Sequence, residues 1–540
     1  MHIFEIVIAL LLGGAALTLL SRKIGTPYPA LVALAGAGLA LVPGTPTLVL
    51  DPELALTLFV APVLLDSAFD ASARDLRANW RAVAGLALGA VLLTVAVVAA
   101  VTRFLVPSMP WSVAIALGAI VAPPDAAAAT AVLKQLRPPQ RLLVILEGES
   151  LFNDASALLI FRLAIGAAVA GALSPVSALP LLVLVTLGSA VLGVVAGRII
   201  LPLSSRLDDV AVAVVVQFCG TFGVWLLAER LHLSGILTVV VFAMSISRRA
   251  AIVTPARVRI PSYAVWEFAV FVLNVLAFIL VGFQLKGILG RLDTSTLVEY
   301  AGIAAAVCLA TILARIAWVS MASAVSRWRY YSVRARPRGN EAGAPLSKRA
   351  AAVVGWCGMR GIVTLATALA LPEATASGAP FPFRDLILFT AFLVVLGTLV
   401  VQGMTLRPLM NAFKLEDDGA LEREVRAARV ETLRAALTAT NELREAELSN
   451  LLRHRYEVML RRAEADKLAD SNAPLPPLEV ENPEAGEEDA IRRATSAERK
   501  RLVALREDGT IGDAAFQRLE QELDLEELHL EQLASRTAAH

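Results

Sequence analysis

Long apolar segments alternate with short polar loops from residue 3 to residue 410 of the 540-residue chain. A helix needs about 20 mostly apolar residues to cross the hydrocarbon core of a bilayer. We therefore predict an all-α polytopic membrane protein with thirteen transmembrane helices, near residues 3–20, 29–43, 54–69, 82–105, 112–133, 142–170, 176–203, 210–228, 234–247, 262–284, 298–325, 350–371 and 385–410.

The basic residues between these segments predict how the chain is oriented. Loops on the cytoplasmic side collect Arg and Lys. The odd-numbered loops hold 20 basic residues and the even-numbered loops hold 4. We predict a multi-pass protein of the cell membrane, with the N-terminus outside and the C-terminal part in the cytoplasm.

The chain changes character after residue 410. Residues 411–540 hold 19 basic and 29 acidic residues, whereas residues 1–410 hold 30 basic and 19 acidic ones. We divide the chain into a transmembrane domain over 1–410 and a helical cytoplasmic tail over 411–540. Residues rich in Ala, Leu, Glu and Arg favour helix, so we predict tail helices over 415–468, 491–507 and 513–535, with a proline-rich break at 473–477 and an acidic stretch over 479–489. The tail either packs on itself or forms a regulatory or dimer-contacting module.

Composition excludes several classes of protein. Hydrophobic residues make up 57% of the chain, and 18% of its residues are charged, against about 25% in an average soluble domain. There is no basic domain with interleaved aromatic residues for nucleic acid, no phosphate-binding loop for ATP, and no histidine spacing for zinc. We expect neither an enzyme nor a cofactor, beyond a transported cation and the proton.

Two of the predicted spans are interrupted. The fifth contains Val-Ala-Pro-Pro-Asp at 121–125, where prolines remove backbone donors, and the twelfth contains three glycines in Gly-Trp-Cys-Gly-Met-Arg-Gly at 355–361. Thirteen spans divide into six, one and six, which places two six-helix halves in inverted orientation. Transporters of this plan bind their ions at broken helices in matching positions of the halves.

Ionisable side chains inside the spans are costly and need a reason. Ser150 and Asp154 are four residues apart, so they share one helix face. A carboxylate beside a hydroxyl suits Na⁺ or another hard monovalent cation, and the same carboxylate can instead hold a proton. The alternative is that Asp154 only caps or packs.

Other charges in the spans have different predicted roles. Arg360 needs a buried partner, and we predict Glu149, in an architectural pair. Asp125 either neutralises the amino ends of the interrupted helices or coordinates the ion directly. Asp66 is either a second ligand or an ordinary interfacial residue. We assign structural roles to three further charges: Arg162, Glu267 and Arg315.

The segment Glu147 to Asp154, the Pro-Asp pair of the fifth span and the Gly-Met-Arg-Gly-Ile-Val-Thr-Leu-Ala stretch of the twelfth resemble the NhaP-type sodium/proton antiporters. This is the Asn-Asp branch of the cation:proton antiporters, related to the animal sodium/hydrogen exchangers. The resemblance covers residues 1–410 and implies an inverted-repeat fold, a core domain that moves against a dimerisation domain, and a homodimer.

The resemblance also implies residue roles. Asp154 would bind the proton and the cation, with Ser150, Asp66 and a backbone carbonyl beside Asp125 completing the shell. Asn153 would hydrogen-bond the pair of Glu149 and Arg360. The single aspartate of the Asn-Asp pair implies electroneutral exchange of one cation for one proton.

One position departs from the family pattern, because Pro124 stands where Thr is usual. Proline lacks a hydroxyl and a backbone donor, but its carbonyl can still face the ion. We predict Na⁺ (or Li⁺)/H⁺ antiport in pH and sodium homeostasis, with K⁺/H⁺ antiport as the alternative. An ion channel or a membrane-anchored sensor fits the buried charges less well, and no carbonyl filter motif is present.

Overall fold

The protein is helical in a computed structural model that describes residues 2–40, 42, 54, 56–136, 138–170, 175–204, 206–207, 209–290, 293–333, 345–375, 378–415, 417–441, 448–469 and 485–538. The helices of the apolar part are α1 (His2–Ile24), α2 (Tyr28–Ala40), α3 (Ala61–Asp70), α4 (Ala73–Ala78), α5 (Trp80–Ala84), α6 (Val91–Leu105), α7 (Trp111–Val121), α8 (Ala126–Leu136), α9 (Gln140–Ala170), α10 (Pro175–Ser204), α11 (Val210–Arg230), α12 (Gly235–Val253), α13 (Ala256–Leu289), α14 (Thr294–Val333), α15 (Lys348–Trp356), α16 (Ile362–Leu369) and α17 (Arg384–Phe413). Two π-helical turns, Leu56–Val60 and Gly85–Ala90, precede α3 and α6.

The apolar part has the character of a membrane protein. Among the described residues, eight helices are long and apolar enough to cross a bilayer. Large apolar side chains stay exposed along several helices, as a surface facing lipid requires; they include Leu12, Leu184, Val191, Ile199 and Phe268. Apart from a few terminal residues and the breaks within the fifth and twelfth, the predicted spans are helical wherever their residues are described, which confirms an all-helical polytopic fold.

The helices of this part pack as two groups. The crossing bundle contains α6–α9 and α14–α17, with α7 packed against both α6 and α9 and with α14 lying against α6 and α17. The flanking bundle contains α1–α3 and α10–α13, in which α2 packs along α13 and α10 packs along α12. Contacts between the two bundles are sparser, and they run mainly through α2 and α17.

Both interrupted spans lie in the crossing bundle. The fifth predicted span is broken between α7, which ends at Val121, and α8, which starts at Ala126. The twelfth is broken between α15, which ends at Trp356, and α16, which starts at Ile362. The breaks therefore fall on the residues that the proline and glycine pattern indicated.

The described residues of the tail form four helices: α18 (Ala420–Asn441), α19 (Leu448–Ala469), α20 (Ala485–Glu507) and α21 (Asp513–Ala538). The helix predicted over 415–468 corresponds to α18 and α19, and residues 442–447 and the proline-rich break at 473–477 lie outside the described residues. One apolar cluster joins Val425, Leu502 and Phe516 to Ala251 of α12. A second cluster holds Leu433, Tyr456 and Met459. The tail thus buries apolar side chains of its own and also packs against the flanking bundle.

Candidate ion site at the helix crossing

The two interrupted stretches meet inside the crossing bundle. The backbone N–H of Asp125 donates a hydrogen bond to the Met359 carbonyl, at 2.7 Å. The backbone N–H of Arg360 donates to the Thr398 hydroxyl of α17, at 3.0 Å. Unwound backbone in a membrane needs such partners, because lipid offers none.

Glycine makes this close approach possible. A Cβ atom at Gly361 would lie 1.7 Å from Oδ2 of Asp125, and one at Gly358 would lie 2.6 Å from Cδ of Arg315. Either contact is too short for a real side chain. Since Gly361 precedes the first residue of α16, the Asp125 carboxylate lies at the amino end of that helix, where a negative charge is stabilised.

Helix α9 carries Asp154 past this crossing. The Asp154 side chain is 5% exposed, and the carboxylates of Asp125 and Glu149 are the charged groups that act on it electrostatically. Ser150 is half-buried one turn before Asp154 on the same helix. A carboxylate and a hydroxyl therefore share a face of α9 beside two unwound stretches.

Asn153 connects α9 to the first break. Its Nδ2 atom donates to the Pro124 carbonyl at 3.0 Å, and the Asn153 side chain is fully buried. The prediction that Asn153 hydrogen-bonds the pair of Glu149 and Arg360 is therefore wrong. Asn153 instead holds the carbonyl of the residue that replaces the usual threonine.

The predicted pairing of Glu149 with Arg360 is also wrong. Both carboxylate oxygens of Glu149 are bound by Arg315 of α14, through Nη2 at 2.8 Å and through Nη1. Each of these side chains is 2% exposed. Arg315 also donates from Nε to the Val354 carbonyl, at 3.3 Å. The fork of Arg315 matches the carboxylate geometrically, and the missing side chain at Gly358 leaves room for it.

Arg360 is fully buried beside this pair. Its Nε and Nη1 atoms have no hydrogen-bond partner among the described residues. The groups that act on it electrostatically include Arg315 and Glu149. The crossing thus holds two guanidinium groups close together, and one of them, that of Arg315, binds the Glu149 carboxylate.

Asp66 lies in a different environment. It is half-buried on α3 and lines a cavity of the flanking bundle together with aromatic and polar side chains, among them Phe69, Gln217, Thr221, Tyr263 and Trp266. In the described part of the chain, none of Ser150, Asp125 and Asp154 lines that cavity. The structure therefore brings the other predicted ligands together at the crossing and places Asp66 in the flanking bundle. These other ligands are Pro124, Asp125, Ser150 and Asp154.

The remaining charges within predicted spans include a surface pair. Arg162 binds both carboxylate oxygens of Glu229 at 3.0 Å, with both side chains substantially exposed. Across the described residues, no three His, Cys, Asp or Glu side chains come together as a metal-binding group.

Sequence reasoning missed two contributions to the site. The sequence analysis named Arg315 as structural but did not select it as the partner of Glu149. The hydroxyl of Thr398 was not considered, although it anchors the unwound backbone. A polar residue within an otherwise apolar span was the available signal for both.

Comparisons with known proteins place the apolar part of the chain in a family. Residues 6–412 match the family model described as "Sodium/hydrogen exchanger, transmembrane". An uncharacterised Na⁺/H⁺ exchanger of Mycobacterium tuberculosis is 31% identical over 537 residues, which cover 97% of this chain and 96% of that protein.

Two further relatives are informative. The sodium, potassium, lithium and rubidium/H⁺ antiporter of Bacillus subtilis is 32% identical over 75% of this chain and 61% of its own length. The sodium/proton antiporter MjNhaP1 of Methanocaldococcus jannaschii has a similar fold, with a TM-score of 0.57 at 20% identity, over 76% of this chain and 98% of that chain.

Proposed function

The chain belongs to the sodium/hydrogen exchanger family, and we propose that it exchanges Na⁺ for protons across a membrane by alternating access. The observation that carries the proposal is the buried Asp154 carboxylate on α9, beside the crossing of two interrupted helices. One carboxylate that can hold either a proton or a cation couples the two flows by competition.

The charges at the crossing explain why loading permits movement. Glu149 and Arg315 form a neutral pair, and the formal charges of Arg360 and Asp125 sum to zero. Asp154 then adds one negative charge, which a proton or a monovalent cation cancels. An uncompensated charge is costly to carry through a low-dielectric barrier, so the empty carrier is held back and the loaded carrier moves. This balance also supports electroneutral exchange, one cation for one proton.

We assign the ligands accordingly. Asp154 binds the ion directly, and the Ser150 hydroxyl, the Asp125 carboxylate and the Pro124 carbonyl complete the shell. Asn153 fixes Pro124, and Glu149 with Arg315 and Arg360 supports the site. Asp66 remains a proposed further ligand from the flanking bundle, reached when that bundle closes on α9.

Selectivity follows from the same chemistry. A site of carboxylate and hydroxyl oxygens accepts any hard monovalent cation, so Li⁺ is a substrate of the same kind. The Bacillus subtilis relative is named for sodium, potassium, lithium and rubidium, which favours K⁺/H⁺ exchange as the second candidate. No other cofactor enters this mechanism.

The proposed architecture has thirteen spans, of which the first six and the last six form inverted repeats. The crossing bundle would be the moving core, and the flanking bundle would form the interface of a homodimer. Residues 1–410 form the transporter, with the N-terminus outside, and residues 411–540 form a cytoplasmic module. Cysteine labelling of the loops from each side of the membrane tests this topology.

The proposal is tested by replacing Asp154 with Asn in protein reconstituted into vesicles that contain a pH-sensitive dye. Cation-dependent proton flux should fall to background, because the amide neither ionises nor carries a proton across. Asp293→Asn is the matched control, since Asp293 is exposed and accepts hydrogen bonds at the start of α14, where Asn caps a helix equally well. Full exchange by the Asp154→Asn protein would refute the assignment.

The same vesicles test selectivity and stoichiometry. Addition of Na⁺, Li⁺ or K⁺ in turn ranks the three cations. An imposed membrane potential should leave the rate unchanged if exchange is electroneutral, and a rate that follows the potential would contradict that stoichiometry.

A further inference from the structure

The tail is anchored to the flanking bundle by a buried ionic network. Arg259 of α13 donates from Nε to Asp524 of α21 at 2.7 Å, and its Nη1 lies 3.3 Å from Glu520. The side chains of Arg259 and Asp524 are 4% and 1% exposed. Arg499 of α20 binds the same aspartate at 2.7 Å. Water is excluded from this anchor, so it is the firmer of the two attachments described here.

Residues of α20 and α21 on either side of the turn between them extend this anchor. Arg506 donates from Nη1 to the Ser247 carbonyl of α12 at 3.1 Å, and the Ser247 hydroxyl donates to the Phe69 carbonyl of α3 at 2.6 Å. On α3, Asp70 accepts a hydrogen bond from Gln517 at 3.0 Å. Three helices of the flanking bundle are therefore held by α20 and α21.

A second anchor lies on α4, the short helix between the two bundles. Arg74 donates from Nη2 to Glu424 of α18 at 2.8 Å, and from Nη1 to the Gly509 carbonyl at 3.1 Å. The other oxygen of Glu424 accepts from the backbone N–H of Gly512, at 2.7 Å. The Arg74 and Glu424 side chains are each 30% exposed, so water and salt weaken this anchor more than the first.

Helix α4 is seated on the helix that carries Asp154. Leu76 packs so closely on Gly148 of α9 that a Cβ atom at Gly148 would lie 2.4 Å from its Cδ2. Asn79 accepts a hydrogen bond from Arg141 Nε of α9, at 2.8 Å. A displacement of α9 is therefore transmitted to α4, and through Arg74 it reaches the tail.

We propose that the tail is an inhibitory strap across the cytoplasmic ends of both bundles, and that Arg74 is the positioning residue through which it restrains α9. The inference rests on the proposed exchange function. Alternating access requires the crossing bundle to move relative to the flanking bundle, and a tail fixed to both resists that movement. The part-exposed Arg74 anchor releases in each cycle, while the buried Arg259 anchor keeps the tail in place.

The test compares reconstituted full-length proteins. Arg74→Ala breaks the second anchor from α4, and Glu424→Gln breaks it from α18. The control is Arg77→Ala, which removes an exposed arginine of α4. We expect Arg74→Ala and Glu424→Gln to raise the maximal exchange rate about two- to five-fold, the range that a part-exposed ion pair supplies. The KM for the cation should not change, because neither residue touches the ion.

Two more readouts separate a strap from a general loosening of the fold. Choline chloride added on the cytoplasmic side should accelerate the wild-type protein by screening the pair and should leave Arg74→Ala unaffected. The exchanged pair R74E/E424R should return the rate towards that of wild type. Hydrogen exchange should show α21 still protected in all variants, since the Arg259 anchor is intact.

Equal maximal rates in wild type, Arg74→Ala and Glu424→Gln would overturn the strap, as would acceleration by Arg77→Ala to the same extent. A wild-type protein without cation-dependent flux would contradict the exchange function itself, which is a separate result. Faster exchange confined to the two anchor variants, and reversed in R74E/E424R, supports the strap.

Discussion

Two buried arginine–carboxylate networks serve opposite purposes in this molecule. At the tail anchor, Arg259 binds Asp524 and also donates from Nη1 to the carbonyls of Ala251 and Thr254, at 2.9 and 3.1 Å. At the helix crossing, Arg315 is similarly bound to Glu149, but the neighbouring Arg360 has donors without hydrogen-bond partners among the described residues.

The tail anchor therefore holds two parts of the protein together, whereas the helix crossing responds to the binding of an ion. Arg259 donates from Nε, Nη1 and Nη2, so it holds two surfaces together and gains little from another ligand. A crossing with surplus charge changes its electrostatic energy whenever a proton or cation joins Asp154.

The crossing should be the more sensitive of the two networks. Glu149→Gln leaves Arg315 without its counter-charge away from water, and we expect a loss of about 3–5 kcal/mol. Arg315→Met alone should cost a similar amount, and the double variant should cost less than the sum. Thermal unfolding in detergent measures all three, and additive losses would show that the pair is not coupled.

The tail anchor should respond less strongly. Asp524→Asn keeps one acceptor oxygen for Arg259 and removes the charge, and water can enter as α21 lifts. We expect a loss of about 1.5–3 kcal/mol in tail docking, the range for hydrogen bonds to a charged group. Protease cleavage of the tail measures it. The exposed pair of Arg434 and Glu464 is the control, and Arg434→Gln should change little.

Per pH unit, the smallest predicted effect is the pH dependence of the tail. Glu498 of α20 is 5% exposed, and its burial, with Glu526 nearby, raises the pKa of its carboxyl to about 8. Since the folded pKa lies above the unfolded value of 4.5, the contribution to stability is complete below pH 4.5 and is lost as the pH rises through about 8. The slope should be about 1 kcal/mol per pH unit within that window.

Protection of α20 against hydrogen exchange, corrected for intrinsic rates, measures this effect. A tail whose protection is the same at pH 6 and pH 8 would contradict it. Glu498→Gln removes the titrating group and should make the profile flat.

Much of the fold follows from local sequence signals. Apolar length marks the helices, and paired prolines or clustered glycines mark the two breaks because they weaken backbone hydrogen bonding wherever they occur. The burial of Glu149, Asp154 and Arg360 could also be anticipated, since each lies within an apolar segment.

The ion-pair partners of these charges could not be predicted from local sequence signals. Arg315 and Arg360 both lie in predicted spans, and the helical period fixes the face of a residue but not the rotation of one helix against another. Only the packed arrangement of α9, α14 and α15 assigns Glu149 to Arg315.

The hydrogen bond from Asp125 to Met359 also has a consequence for how the protein is made. Its two residues come from opposite ends of the apolar part, so α7, α8 and α9 are synthesised long before the chain that completes the crossing. Until α14 and α15 have been inserted, Glu149 lacks its arginine and the first break lacks its carbonyl. The proposed ligands of the ion are thus synthesised before the groups that support them, and the site is complete only when the second half of the apolar part has been inserted.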